Sequence, residues 1–233
     1  MERLDKFLSA QTTLSRRDAS AKVRRGAVTV NGAVVRDPSQ KVDPTTCAVT
    51  LDGQAVSYFR HIYIMLNKPA GILCVSRDPH APTVVDLLPE EWRARELFPA
   101  GRLDKDTTGM VLLTDDGDFA HRMLAPKKHV PKRYLVTLDH PVDQATVASF
   151  ASGMTLMSGE VCLPAKCEPL EGNEAIVTLH EGKYHQIKRM FAACSLHVEA
   201  LHRLSMGGLP LDPSLAPGES RMLTDQEVMT VFL

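Results

Sequence analysis

A loop bracketed by glycines, Gly101-Arg102-Leu103-Asp104-Lys105-Asp106-Thr107-Thr108-Gly109, runs directly into the apolar stretch Met110-Val111-Leu112-Leu113-Thr114. This junction constrains the fold, because the unbroken aliphatic run predicts a buried strand and the glycines predict turns at both ends of the loop. A loop fixed against a buried strand holds a carboxylate in place while leaving it open to solvent. Asp104 lies between Arg102 and Lys105. Nearby opposite charges favour the ionised form, so Asp104 reads as a nucleophile or base and not as an acid.

With 233 residues the chain has room for one large domain, or for a small one and a larger one. No window approaches eighteen consecutive apolar residues, and Met1-Glu2-Arg3-Leu4-Asp5 lacks the apolar core of a signal peptide. The cysteines at 47, 74, 162, 167 and 194 form no Cys-x-x-Cys pair. Free thiols, no structural metal, no membrane segment and a cytoplasmic location are the expectation. The net charge of −1 hides a segregation: from Ser15 to Arg36 six basic residues face a single acid, Asp18.

Taken in order, the chain predicts an amphipathic helix over 3–10 with Leu4, Phe7 and Leu8 on one face. A second helix opens at Ser15, carries Arg16, Arg17, Lys22, Arg24 and Arg25, and stops at Gly26. A hairpin turning at Asn31-Gly32 follows. Basic residues gathered on one helix of so small a unit suit neutralisation of RNA phosphates. The spacing of Arg3-Leu4-Asp5-Lys6-Phe7-Leu8, Ser15-Arg16-Arg17 and Arg25 to Gly32 resembles the S4 RNA-binding module over roughly the first fifty residues. Residues 37–60, with Pro38, Pro44 and Gly53, read as a strand-poor tail and linker, giving expected domains of 1–59 and 60–233.

In the second part, a strand is predicted over 61–66, helices over 90–96 and 119–124, a strand over 135–138, a helix over 143–153 and a strand over 175–179. The basic run Lys127-Lys128-His129-Val130-Pro131-Lys132-Arg133 leads to Tyr134, an arrangement suited to stacking a base beside a phosphate track. After Gly182 a helix carries Ile187, Met190 and Phe191 toward the core, with Lys188 and Arg189 on the rim of that face. Residues 203–221 read as a Gly/Pro-rich tail before a last helix near Thr224.

Asp104-Lys105-Asp106-Thr107-Thr108 also matches the Asp-x-Asp-x-Thr signature of haloacid-dehalogenase phosphatases, but in that family the buried strand precedes the motif. Here Pro99 and Gly101 precede it and the strand follows. Three segments together instead resemble the pseudouridine synthases: Gly101-Arg102-Leu103-Asp104 with Thr107-Thr108-Gly109, Lys132-Arg133-Tyr134, and Gly182 to Arg189. With the S4-like start, Leu66-Asn67-Lys68-Pro69 and the run from Pro217 to Thr224, the chain is similar to the small-subunit branch, which modifies uridine 516 of 16S rRNA.

That resemblance implies an α+β protein, with a small S4-like domain before a two-lobed catalytic domain built on a mixed, mainly antiparallel sheet. It implies that Asp104 starts breakage of the uridine N1–C1′ bond, by attacking the sugar or by removing its C2′ proton. Tyr134 would stack on the flipped base, Lys188 would pair with Asp104, Leu201 would wall the pocket, and Arg102 would meet RNA beside the extruded nucleotide. Lysine at 188, where many relatives carry arginine, supplies charge without the bidentate fork. The partner implied is 16S rRNA or a small-subunit assembly intermediate, bound by a monomer and without a cofactor. The competing reading is a non-catalytic rRNA-binding assembly factor, which would tolerate Asn at 104.

Overall fold

The computed structural model describes residues 1–125 and 130–233. The chain divides into two compact units, Met1–His61 with Leu88–Glu96, and Ile62–Leu87 with Leu97–Leu233. The short helix Glu90–Arg93, which the sequence places in the second domain, therefore groups with the first unit.

In the first unit the helices Leu4–Gln11 and Arg16–Arg24 form as their apolar spacing demands, and Leu4, Phe7, Leu8, Ala19 and Val23 enter one core. Ser15 caps the second helix by accepting from the Asp18 N–H at 3.1 Å. Val28–Val30 and Ala33–Val35 pair through a turn in which Asn31 and Gly32 both take positive φ, as a two-residue hairpin requires. The expectation of a strand-poor linker over 37–60 is corrected. Val49–Leu51 pairs with Val28–Val30 and with Gln54–Ala55, while Lys41–Val42 pairs with Glu2–Arg3. Strands of two or three residues leave too little periodicity to be seen in sequence.

The second unit is built on a nine-stranded sheet. Its main path runs Lys166–Pro169, Glu174–Leu179, Lys132–Leu138, Val198–Met206, Thr108–Thr114, Tyr63–Lys68 and Ser220–Met222. Phe98–Ala100 adds to Thr108–Thr114, and Leu209–Pro210 adds to Val198–Met206. Among the described residues every pairing in this sheet is antiparallel except one: Val198–Met206 and Thr108–Thr114 run parallel, with His202 opposite Thr108 and Arg203 opposite Gly109. Two antiparallel halves thus meet at one parallel seam, and the Gly101–Gly109 loop enters the sheet there. Met65, Met110, Leu112, Phe119, Met123 and Met206 pack beside it.

The Gly/Pro-rich tail expected from 203 onward is also corrected. Val198–Met206 is a nine-residue central strand, and Gly207-Gly208 is the two-residue turn that leads to Leu209–Pro210. At Gly207, with φ +60°, a Cβ would sit 1.8 Å from the Val231 carbonyl oxygen, so the glycine marks a close approach of backbones. The last helix, Asp225–Thr230, starts from a capping box of Thr224 and Glu227.

Candidate active site

Gly109 explains how the loop is set. A Cβ there would lie 2.4 Å from the Arg203 carbonyl oxygen, and its φ is +97°, so only glycine lets the two seam strands approach. Two buried cations then clamp the loop. Arg203, 1% exposed, donates from Nε to the Met110 carbonyl at 2.6 Å and from Nη2 to the Gly101 carbonyl at 3.0 Å. Lys68, wholly buried, donates from Nζ to the carbonyls of Pro69, Lys105 and Thr107 at 3.0, 3.0 and 2.8 Å. Its three N–H bonds are thereby used, and burial pushes the ammonium below its usual range. Neither cation was singled out for this role from the sequence.

The clamped loop presents Asp104 to a cleft of about 600 Å³ lined also by Tyr134, Lys188, Leu201 and Arg102. Tyr134 comes from the strand Lys132–Leu138 and lies opposite Arg203; Leu201 comes from the strand Val198–Met206. Both are 8% exposed. Arg102 is exposed. The structure therefore brings all five of these residues to one cleft.

The ionic contacts of Asp104 come from the start of the helix Gln186–Ala193, not from its exposed chain neighbours Arg102 and Lys105. Lys188 Nζ lies 3.8 Å from Asp104 Oδ2, and His185 Nε2 lies 3.5 Å from Oδ1. Lys188 is closer still to Asp106, donating to Oδ2 at 2.6 Å, and this bond holds the Asp106 carboxyl below its ordinary range. One ammonium thus bridges two carboxylates, and its hydrogen bond goes to the one the sequence reading left unassigned. His185, the residue before this helix, adopts a left-handed conformation (φ 48°, ψ 35°) and its ring stacks on Tyr184 at 3.8 Å. A glycine two residues upstream of Tyr184 was the visible signal for a helix start; histidine is among the non-glycine types enriched in the left-handed region, but that weak preference alone does not single out position 185.

The helix start is itself held. Gln186 Nε2 donates to Glu181 at 2.6 Å, and Arg189 reaches Glu160, Ser158 and the Tyr184 carbonyl. Lys183 donates to the Val161 carbonyl. Arg189, expected on the rim, thus serves to tie the 154–162 hairpin to the segment carrying His185 and Lys188.

The basic residues of the first unit separate into two groups. Arg16 lies 3.5 Å from Asp5, a buried carboxyl that Arg3 holds down at about 2, and Lys22 pairs with Asp52 at 2.6 Å. Arg17, Arg24 and Arg25 are exposed. Lys127, Lys128 and His129, the beginning of the basic run before Tyr134, lie outside the described residues. Among the described residues no helix is long and apolar enough to cross a membrane.

Comparison with known proteins places these features in a wider group. The profile of the RNA pseudouridylate synthase family matches residues 62–193, and that of the S4 domain matches residues 2–46. A Bacillus subtilis protein described as an uncharacterized RNA pseudouridine synthase is 48% identical over 231 residues, covering 97% of this chain and 96% of its own length. The ribosomal small subunit pseudouridine synthase A of Escherichia coli is 45% identical over 232 residues, covering 98% and 99%. A crystal structure of a pseudouridylate synthase superposes with a TM-score of 0.70 at 39% identity, covering 99% of this chain and all of that one.

Proposed function

Because the chain belongs to the RNA pseudouridylate synthase family and carries an S4 domain, and is therefore an isomerase, we propose that it converts one uridine of 16S rRNA, at the position-516 type of site, to pseudouridine. The observation that carries this reading is the meeting of Asp104, Tyr134 and Lys188, from three distant segments, in one cleft. The target base must leave its stack before any side chain can reach the glycosidic bond. Tyr134 then offers a ring for the extruded uracil, with Leu201 as a second apolar wall. Asp104 acts on the ribose, while Lys188 and His185 keep positive or hydrogen-bonding groups against its two oxygens. Arg102, exposed at the mouth, meets RNA next to the extruded nucleotide.

In this reading residues 1–59 dock the RNA and residues 60–233 carry out the chemistry. Arg16, Arg17, Lys22, Arg24 and Arg25 supply the docking charge, and the ion pairs of Arg16 and Lys22 leave most of the phosphate contact to the other three. The working species is a cytoplasmic monomer acting on rRNA or on a small-subunit assembly intermediate.

Tritium release from small-subunit rRNA labelled at uridine C5 tests the reading. Wild type should release one tritium per RNA and Asp104→Asn none, with both proteins equally folded and equally bound to RNA. No release by wild type on free rRNA and on the partly assembled subunit would refute it. Equal release by both proteins would remove Asp104 from its role.

A further inference from the structure

Lys132 is buried in the same cleft, and the mechanism above gives it no task. It is 8% exposed, it lines the cleft, and it lies two residues before Tyr134 on the same face of the strand Lys132–Leu138. Among the described residues its Nζ has one hydrogen-bond partner, the Val130 carbonyl at 3.1 Å, for three N–H bonds, and no carboxylate within ion-pair distance. Lys68 shows the contrast: there the three N–H bonds meet three carbonyls and the group is fully used. An ammonium withdrawn from water with donors to spare is costly for the fold, and a cleft that must bind a developing negative charge gives it a purpose.

We propose that Lys132 is a catalytic residue that donates a hydrogen bond to a carbonyl oxygen of the flipped uracil and stabilises the base as it departs as an anion. This rests on the isomerase reading. When the N1–C1′ bond breaks, its electron pair stays with the base and spreads over N1, O2 and O4. Asp104 meets the ribose side, by bonding C1′ or by taking the C2′ proton, and is later released in its starting form. The base turns, C5 forms the new bond to C1′, the C5 proton is lost to solvent and N1 regains one. Lys132 remains an ammonium throughout. Tyr134 beside it holds the ring in plane, and the buried guanidinium of Arg203 on the neighbouring strand adds to the positive potential.

The test compares leaving groups. The full-length protein, in excess, is given small-subunit rRNA transcripts containing uridine or 5-fluorouridine, and the first-turnover formation of C-linked nucleoside is followed by mass spectrometry after digestion. The first transcript gives pseudouridine; the second, which has no C5 proton to lose, gives the C-linked product that keeps fluorine and adds water at C6. Fluorine at C5 stabilises the uracil anion, so that substrate depends less on the ammonium. Lys132→Met should slow the uridine transcript about 100-fold, the usual effect of losing one donor to a developing anion, and the 5-fluorouridine transcript by about tenfold or less. Lys132→Gln, which stays polar, is run beside it in case the methionine variant fails to fold. RNA affinity should be unchanged in both. Rates within threefold of wild type, or an equal slowing of both transcripts, would overturn the proposal and leave Lys132 a structural residue. If wild type forms no C-linked nucleoside, the isomerase reading falls and this one falls with it.

Discussion

Replacing Lys132 with methionine keeps a long unbranched side chain in its strand while removing a charge from the interior, so the substitution should stabilise the unit that it disables. Burial and the neighbouring Arg203 push the ammonium from 10.5 down to about 8. At about 1.4 kcal/mol per unit, the protonated form costs the folded state about 3 kcal/mol at neutral pH. Losing the bond to the Val130 carbonyl gives back about 1 kcal/mol, for a net gain of about 2 kcal/mol in the variant. The sign follows from proton uptake. Below pH 8 the lysine is protonated both folded and unfolded, and the whole cost is present. Between 8 and 10.5 the folded form is neutral while the unfolded form still holds its proton, so wild type gains stability as pH rises. Above that range the charge penalty is gone. The advantage of the variant should therefore be largest near neutral pH and shrink by about pH 10. Trp92, the single tryptophan, belongs to the other unit and would report the wrong transition. Amide exchange in the strand Lys132–Leu138 reads the relevant one. A variant less stable than wild type at neutral pH, or a difference that does not change with pH, would refute the reasoning.

Other substitutions separate the parts of the site. Gly109→Ala forces a Cβ into the Arg203 carbonyl at positive φ and should cost about 3 kcal/mol or more, seen as loss of soluble protein or of urea resistance in the second unit. Lys188→Ala should let the Asp106 carboxyl titrate closer to its ordinary range, measurable by NMR, because Lys188 is the main cause of its depression. Asp106→Asn should leave more turnover than Lys188→Ala does, since it removes a competitor for the ammonium and not the ammonium itself; equal losses would place Asp106 in the chemistry. Replacing Arg17, Arg24 and Arg25 together by alanine should lower the slope of log affinity against log salt by about 2 for single-stranded rRNA, and an unchanged slope would remove them from the docking surface.

The residues proposed for the chemistry were legible in the sequence as candidates, and their meeting in one cleft is what the fold adds. Asp104 stood in a glycine-bracketed loop, Tyr134 began an alternating strand, Lys188 lay beside a helical apolar face, and the fold places all three on one cleft. The first two helices and the Asn31-Gly32 hairpin were legible for a related reason, since capping and turn residues act through local backbone geometry. Val198–Met206 was not. Its Glu199, His202, Arg203 and Ser205 blur the alternation, and the Gly207-Gly208 turn after it resembles the opening of a coil.

The groups that set the site were hidden for a more basic reason. Apart from the Lys68 bond to the adjacent Pro69 carbonyl, Lys68 and Arg203 make their bonds to backbone carbonyls 37 to 102 residues away, and any residue type supplies a carbonyl. No pairing of opposite charges marks them, so in sequence they look like ordinary cations on strands that face water. What selects them is the conformation of the Asp104 loop, which turns its carbonyls inward and needs buried donors to satisfy them. The dependence also runs the other way: without those donors the carbonyls would seek water and the loop would lose its register against the seam. The position of Asp104, which could be read, therefore depends on two residues that could not, and on a glycine whose only property is the lack of a Cβ.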